Sequence, residues 1–185
     1  MRMEEDVLMT PIGILMVEHL LIARMMNLME GRLGRIGAET RPDMVFIDGA
    51  IDFAKTYADA CHHGKEESIF FEKLAMKNLL PDHKKLMDEL VLEHIQTRKI
   101  VTNLEMARED FMKGDSGAVG KILIICKSLW QIYPGHMEKE EKAFFPASME
   151  YFSKREQEEM VKRFWEFDKN LLLEKYVKFF DQYDR

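Results

Sequence analysis

A histidine followed four residues later by a glutamate occurs twice in this chain, each time with a lone histidine far upstream. The first copy is Glu18-His19, then His62-His63-Gly64-Lys65-Glu66-Glu67 ending in Phe70-Phe71. The second is Glu93-His94, then His136-Met137-Glu138-Lys139-Glu140-Glu141 ending in Phe144-Phe145. The lone histidine precedes its pair by 43 residues in the first copy and 42 in the second, and five of the six histidines lie in the pattern. Residues four apart share a helix face. His62 with Glu66, and His136 with Glu140, therefore read as two chelating pairs, completed by His19 and His94 from partner helices. Facing side chains in helical bundles build di-metal carboxylate sites by such convergence. Two metal ions are the natural occupant of four imidazoles and two carboxylates, because burying those groups uncompensated is costly. Mixed nitrogen and oxygen donors suit iron, with manganese or zinc as alternatives.

The doubled runs leave a choice of register, since His63 and Glu67 have the same spacing as His62 and Glu66. His62 continues the apolar stripe Ile51, Ala54, Ala58, whereas His63 extends Thr56, Asp59 and Ala60. Aligning the two Phe-Phe pairs matches His62 with His136, Glu66 with Glu140, and His63 with Met137, a poor ligand for a hard or borderline ion. The register His62/Glu66 is preferred, with His63/Glu67 as the alternative. Glu18 and Glu93 either orient an imidazole through its other nitrogen or form surface ion pairs. Tyr57 and Tyr133 read as core aromatics or as groups that contact whatever the metals bind. His83, beside Pro81-Asp82, is set aside as structural.

Helices must carry these residues. Thr10-Pro11 reads as an N-cap with proline at the first helical position. The apolar repeat from Ile14 to Met29 then runs to the stretch Gly31–Gly37. Pro42-Asp43 opens a second helix that reaches about Lys77. Pro81-Asp82 opens a third that stops near Gly114. Asp115 or Ser116 caps a fourth, with Gly117 and Gly120 predicting a late start, Pro134-Gly135 a kink, and Pro146 an end or bend. Ser153 to Glu156 forms a capping box for a fifth helix bearing Phe164, Phe167, Leu171, Leu172 and Phe179. Long helices with short connections predict an all-α, up-down-up-down four-helix bundle with an additional C-terminal helix. The offsets of 75 (His19 to His94) and 74 (His62 to His136) predict a duplicated helical hairpin.

A length of 185 residues fits a single domain, with the bundle at about 8–150 and the last helix at about 153–182. The net charge of −6, with no basic stripe, argues against a nucleic-acid partner. The two cysteines, Cys61 and Cys126, sit in apolar helical contexts and predict a reducing cytoplasm rather than a disulfide framework. Met1 to Asp6 is too acidic to begin a signal peptide. No uninterrupted apolar run approaches the ~20 residues of a membrane span, so no membrane partner is expected.

The motifs Glu18-His19, His62-His63-Gly-Lys-Glu66-Glu67, Glu93-His94 with Arg98, and His136-Met-Glu-Lys-Glu140-Glu141 with Phe144-Phe145-Pro146 resemble the hemerythrin-like, or HHE cation-binding, family over residues 8–150. The resemblance implies a four-helix bundle around a non-haem di-iron centre bridged by the two glutamates, with an oxo or hydroxo bridge. His19, His62, Glu66, His94, His136 and Glu140 would be its ligands. It also implies a protein that meets O2, NO or peroxide as sensor, store or scavenger. Other readings are a di-iron oxidoreductase, a factor that repairs iron–sulfur clusters after nitrosative stress, and a metal-dependent interaction module. Classical oxygen carriers of this family have a late His-x-x-x-x-Asp pair, whereas this chain has no histidine after His136. The cysteine-bearing N-terminal domain often found in the repair factors is not expected, with nine residues before Thr10. The apolar surplus of the fifth helix leaves a homodimer open.

Overall fold

The computed structural model describes residues 9–34, 42–167 and 180–183. Leu171, Leu172, Phe179 and residues 35–37 of the glycine-punctuated stretch lie outside the described residues. Among the described residues there is no strand. Helix α1 is Pro11–Leu33, capped by Thr10, whose Oγ1 accepts from the Gly13 amide at 3.1 Å. Helix α2 spans residues 44–75, and Asp43 Oδ1 caps it by accepting from Phe46 N at 3.1 Å. Helix α3 is Pro81–Met112. Gly114 ends it at φ +94°, where glycine carries no Cβ penalty. Helix α4 spans residues 118–149, and helix α5 is Lys154–Phe167.

Three details differ from the sequence expectation. No side chain caps α4 at its first turn; Asp115 instead accepts from Gly117 N through Oδ1 at 2.8 Å and from Ala118 N through its carbonyl at 3.2 Å. Pro146 does not end α4, because it falls in the first turn of Phe145–Met149, where a missing N–H costs least. And α2 and α4 are not uniform α-helices. Ala54–His63, Glu66–Phe71 and Glu140–Phe144 are π-helical, with i→i+5 bonding. These wider turns coincide with adjacent buried residues, His62-His63, Phe70-Phe71 and Phe144-Phe145, which a strict 3.6-residue stripe does not bury side by side. Pro134 lies within the α-helical part of α4, which continues through it.

The bundle interior has three layers. One apolar core contains Ile22, Met25, Phe46, Phe53, Leu104 and Ile122. The other contains Leu15, Phe70, Leu90, Phe144, Phe145 and Phe164. His19, His62, Glu66, His94, His136 and Glu140 lie between them, all buried. Each helix crosses the layers in the opposite sense to the one before it: α1 runs Leu15, His19, Ile22, whereas α2 runs Ala58, His62, Phe70. Helix α4 packs on α1 and α3, α2 packs on α3 and α1, and α5 lies against α1 and α2. This is the expected up-down-up-down bundle with an added C-terminal helix. Helix α1 is nonetheless long and apolar enough, by length and composition, to cross a membrane. Glu18 and His19 interrupt its apolar run. In the fold, the apolar residues Leu15, Ile22, Met25, Met26 and Met29 are buried in the core.

Candidate metal centre

Each helix delivers its donors at the same depth. His19 Nε2 and His62 Nε2 lie 3.0 Å apart, and His94 Nε2 and His136 Nε2 lie 3.2 Å apart. Glu66 and Glu140 stand between these two imidazole pairs. Glu66 Oε1 is 3.5 Å from His62 Nε2, while its Oε2 is 3.4 Å from His94 Nε2. Glu140 Oε2 is 3.2 Å from His19 Nε2, and its Oε1 is 3.2 Å from His136 Nε2. Each carboxylate thus turns one oxygen to each imidazole pair. None of the four oxygens, all fully buried, has a hydrogen bond of acceptable geometry. Orphaned buried carboxylate oxygens are expensive. Two nitrogens bound at right angles to one ion, each at ~2.1 Å, are ~3.0 Å apart. The imidazole pairs already have that separation, so the donor set fits metal cations.

The outer nitrogens are held by carboxylates in a duplicated scheme. His62 Nδ1 meets Glu18 Oε2 at 2.9 Å, and Lys65 donates to the other Glu18 oxygen. His136 Nδ1 meets Glu93 Oε2 at 2.8 Å, and Lys139 donates to the other Glu93 oxygen. His19 Nδ1 meets Glu141 Oε1 at 2.8 Å; His94 Nδ1 meets Glu67 Oε1 at 2.7 Å. Phe145 stacks on His19 and Phe71 on His94, with centroids 5.8 and 6.0 Å apart. Such outer bonds fix the tautomer so that Nε2 lone pairs face the centre.

Electrostatics follow from burial. Burial, then the neighbouring Glu140 charge, pushes the Glu66 carboxyl well above the ordinary carboxylate range. Burial acts on Glu140 in the same sense, but the imidazoles of His136, His19 and His94 outweigh it and hold that group well below. Burial and the nearby His19 depress His62 strongly. Burial depresses His94 too, yet Glu140 and Glu67 outweigh it and raise that group.

The structure brings together all six residues singled out in the sequence. It resolves the open role of Glu18 and Glu93: each orients the histidine of the paired motif, not the histidine beside it in sequence. Glu67, the alternative donor, holds His94 and Arg98 instead, at 2.7 and 2.8 Å. His63 is buried beside the centre, stacked on His94 with centroids 3.9 Å apart, and it groups with His94 and His136 as a set that could hold an ion. Tyr133 reaches the centre's edge, stacked on His63 at 6.4 Å. Tyr57 packs in the apolar core on Phe53 at 5.1 Å. His83 lies away from the centre, with Nδ1 2.8 Å from the Tyr151 hydroxyl. Sequence reasoning missed Lys65, Lys139 and Glu141, although each repeats at the same offset in His-x-x-Lys-Glu-Glu and so carried a signal.

No curated protein and no solved structure matches the chain. One family model does, that of the hemerythrin HHE cation-binding domain, over residues 10–148. That stretch contains all four bundle helices but the last residue of α4, and every donor of the centre, so the chain belongs to the hemerythrin HHE cation-binding domain family.

Proposed function

We propose that this protein holds two non-haem iron ions and meets O2, NO or peroxide as a sensor, store or scavenger in the cytoplasm. The observation that carries this reading is the pair of buried glutamates with one unbonded oxygen toward each imidazole pair. One ion would take His19, His62, Glu66 Oε1 and Glu140 Oε2. The other would take His94, His136, Glu66 Oε2 and Glu140 Oε1. Iron held by these residues would supply reversible redox chemistry and a place for a small added ligand; zinc or manganese would fit the same donors. The chain's own contribution is to exclude bulk water with two apolar cores and to fix the imidazoles from behind. The buried cysteines Cys61 and Cys126 support a reducing compartment.

Anaerobic titration with iron(II), read by metal analysis and optical spectra before and after air, tests this. Uptake should saturate at two ions per chain, and air should change the spectrum. Glu140→Ala should remove that uptake, because the residue faces both imidazole pairs. Wild-type protein that retains no iron through gel filtration would refute the reading.

A further inference from the structure

Four carboxylates back the four imidazoles, and three of them are gripped by a cation. Lys65 donates to Glu18, Lys139 to Glu93, and Arg98 to Glu67 Oε1 through Nη2 at 2.8 Å. Glu141, which backs His19, has no cation partner among the described residues. The duplication shows where the difference arises. Arg98 lies four residues after His94, and the position four after His19 is Ala23, which has no charge to offer.

Arg98 grips more than Glu67. Its Nε donates to Asp59 Oδ1 at 2.7 Å, and that oxygen lies 3.3 Å from His63 Nδ1. Asp59, His63 and Glu67 follow one another at four-residue spacing on α2. The His63 ring lies face to face with His94, with centroids 3.9 Å apart, and Glu67 Oε1 meets His94 Nδ1 at 2.7 Å. The guanidinium thus reaches His94 twice: behind its outer nitrogen through Glu67, and against its face through Asp59 and His63. A planar, permanently charged fork can tie two carboxylates together in this way. In the other copy the three α2 positions are Tyr133, Met137 and Glu141. His19 keeps Phe145 on its face, as His94 keeps Phe71, but has no counterpart of the His63 ring among the described residues. The paired histidines do not offset this difference, since His62 and His136 each have a carboxylate and a lysine behind them.

We propose that Arg98 is a positioning residue that makes the two cation positions unequal: the position at His94 and His136 fills first and holds, and the position at His19 and His62 exchanges. The order of loading rests on the dinuclear reading above. It gives the protein a half-loaded state with one cation at His94 and His136, and one cation that a competing chelator removes first.

Zinc-loaded protein titrated with a competing chelator, read by metal analysis, tests this without redox chemistry and yields the two stepwise affinities. In the wild type they should differ by about tenfold or more, the usual worth of an outer partner of a ligating imidazole. Arg98→Met keeps an apolar stem and removes the charge; it should weaken the tighter ion about tenfold and the weaker by less than about twofold. Added to Glu67→Gln, the same change should cost less than about threefold, because the arm through Glu67 is already cut. If Arg98→Met does not fold, Glu67→Gln and Glu141→Gln decide the order: the first should weaken the tighter ion and the second only the weaker. Equal affinities in the wild type would overturn the proposal. So would a loss in Arg98→Met confined to the weaker ion, or an undiminished loss in the Glu67→Gln background. Wild-type protein that takes up no metal sinks the dinuclear reading; two ions per chain held equally sinks this inference alone.

Discussion

Glu18 and Glu93 make the same bonds at equivalent positions, yet their acidities move in opposite directions. Burial raises Glu18 and outweighs Lys65. Burial also acts on Glu93, but the more open site lets Lys139 and His136 win, and that group falls below the ordinary range. The imidazole each one holds depends on the carboxylate for its orientation. Glu18→Gln and Glu93→Gln should each lower metal affinity by roughly 10–100-fold without changing the number of ions bound, as measured by chelator competition. Affinities equal to wild type would show that these carboxylates serve only as ion-pair partners of Lys65 and Lys139. Cys126 is set apart from this chemistry. Burial pushes its thiol up to about 12, so it should resist alkylation at neutral pH in the native state and react once the protein is unfolded.

Helix α5 joins the bundle at two places that can be tested separately. At its start, Ser153 N and Oγ donate to Glu156 Oε2 at 2.9 and 2.8 Å, closing the capping box. Lys77, then the Ser153 amide and hydroxyl, lowers the Glu156 carboxyl to about 2. A depressed carboxyl stabilises above its unfolded value, 4.5, and loses that contribution as pH falls through about 2. The difference in melting temperature between wild type and Glu156→Gln should be largest at neutral pH, shrink below 4.5 and vanish near 2. At its end, the Phe167 ring lies over Gly64, where an added Cβ would meet it at 2.9 Å. Gly64→Ala alone sets a helix gain of ~1 kcal/mol against that clash. In a Phe167→Ala background the gain should appear in full, and urea melts of the four proteins should show the coupling. Additivity would mean that Phe167 swings clear at no cost.

Across the whole molecule, the polar layer divides the interior into two apolar cores and joins four helices at one depth. Without cations it holds six buried titratable groups and four unbonded carboxylate oxygens. An occupant that binds only the folded state stabilises it by mass action, ~2.7 kcal/mol at a hundredfold excess over its dissociation constant. Calorimetry should therefore show a melting temperature that rises with metal and falls with chelator. Glu66→Ala, which removes a donor facing both imidazole pairs, should abolish most of that rise. A melting temperature indifferent to metal in the wild type would mean that the layer is satisfied without it.

Spacing alone determined the helices and their caps at Thr10, Asp43 and Ser153, and gave the preference for His62 and Glu66 over their neighbours. Those features are local, since a helix face repeats at three and four residues and a cap acts within one turn. The duplication also determined that two imidazole pairs and two glutamates would meet. Tertiary structure alone decided which carboxylate backs which imidazole. Glu18 holds His62, not the adjacent His19, and Glu67 crosses to His94. These pairings depend on how neighbouring helices are staggered and rotated, which periodicity within one helix does not carry. The π-helical turns and the stacking of His63 on His94 belong to the same class. They arise where adjacent residues must both be buried against other helices, so only the assembled bundle sets them.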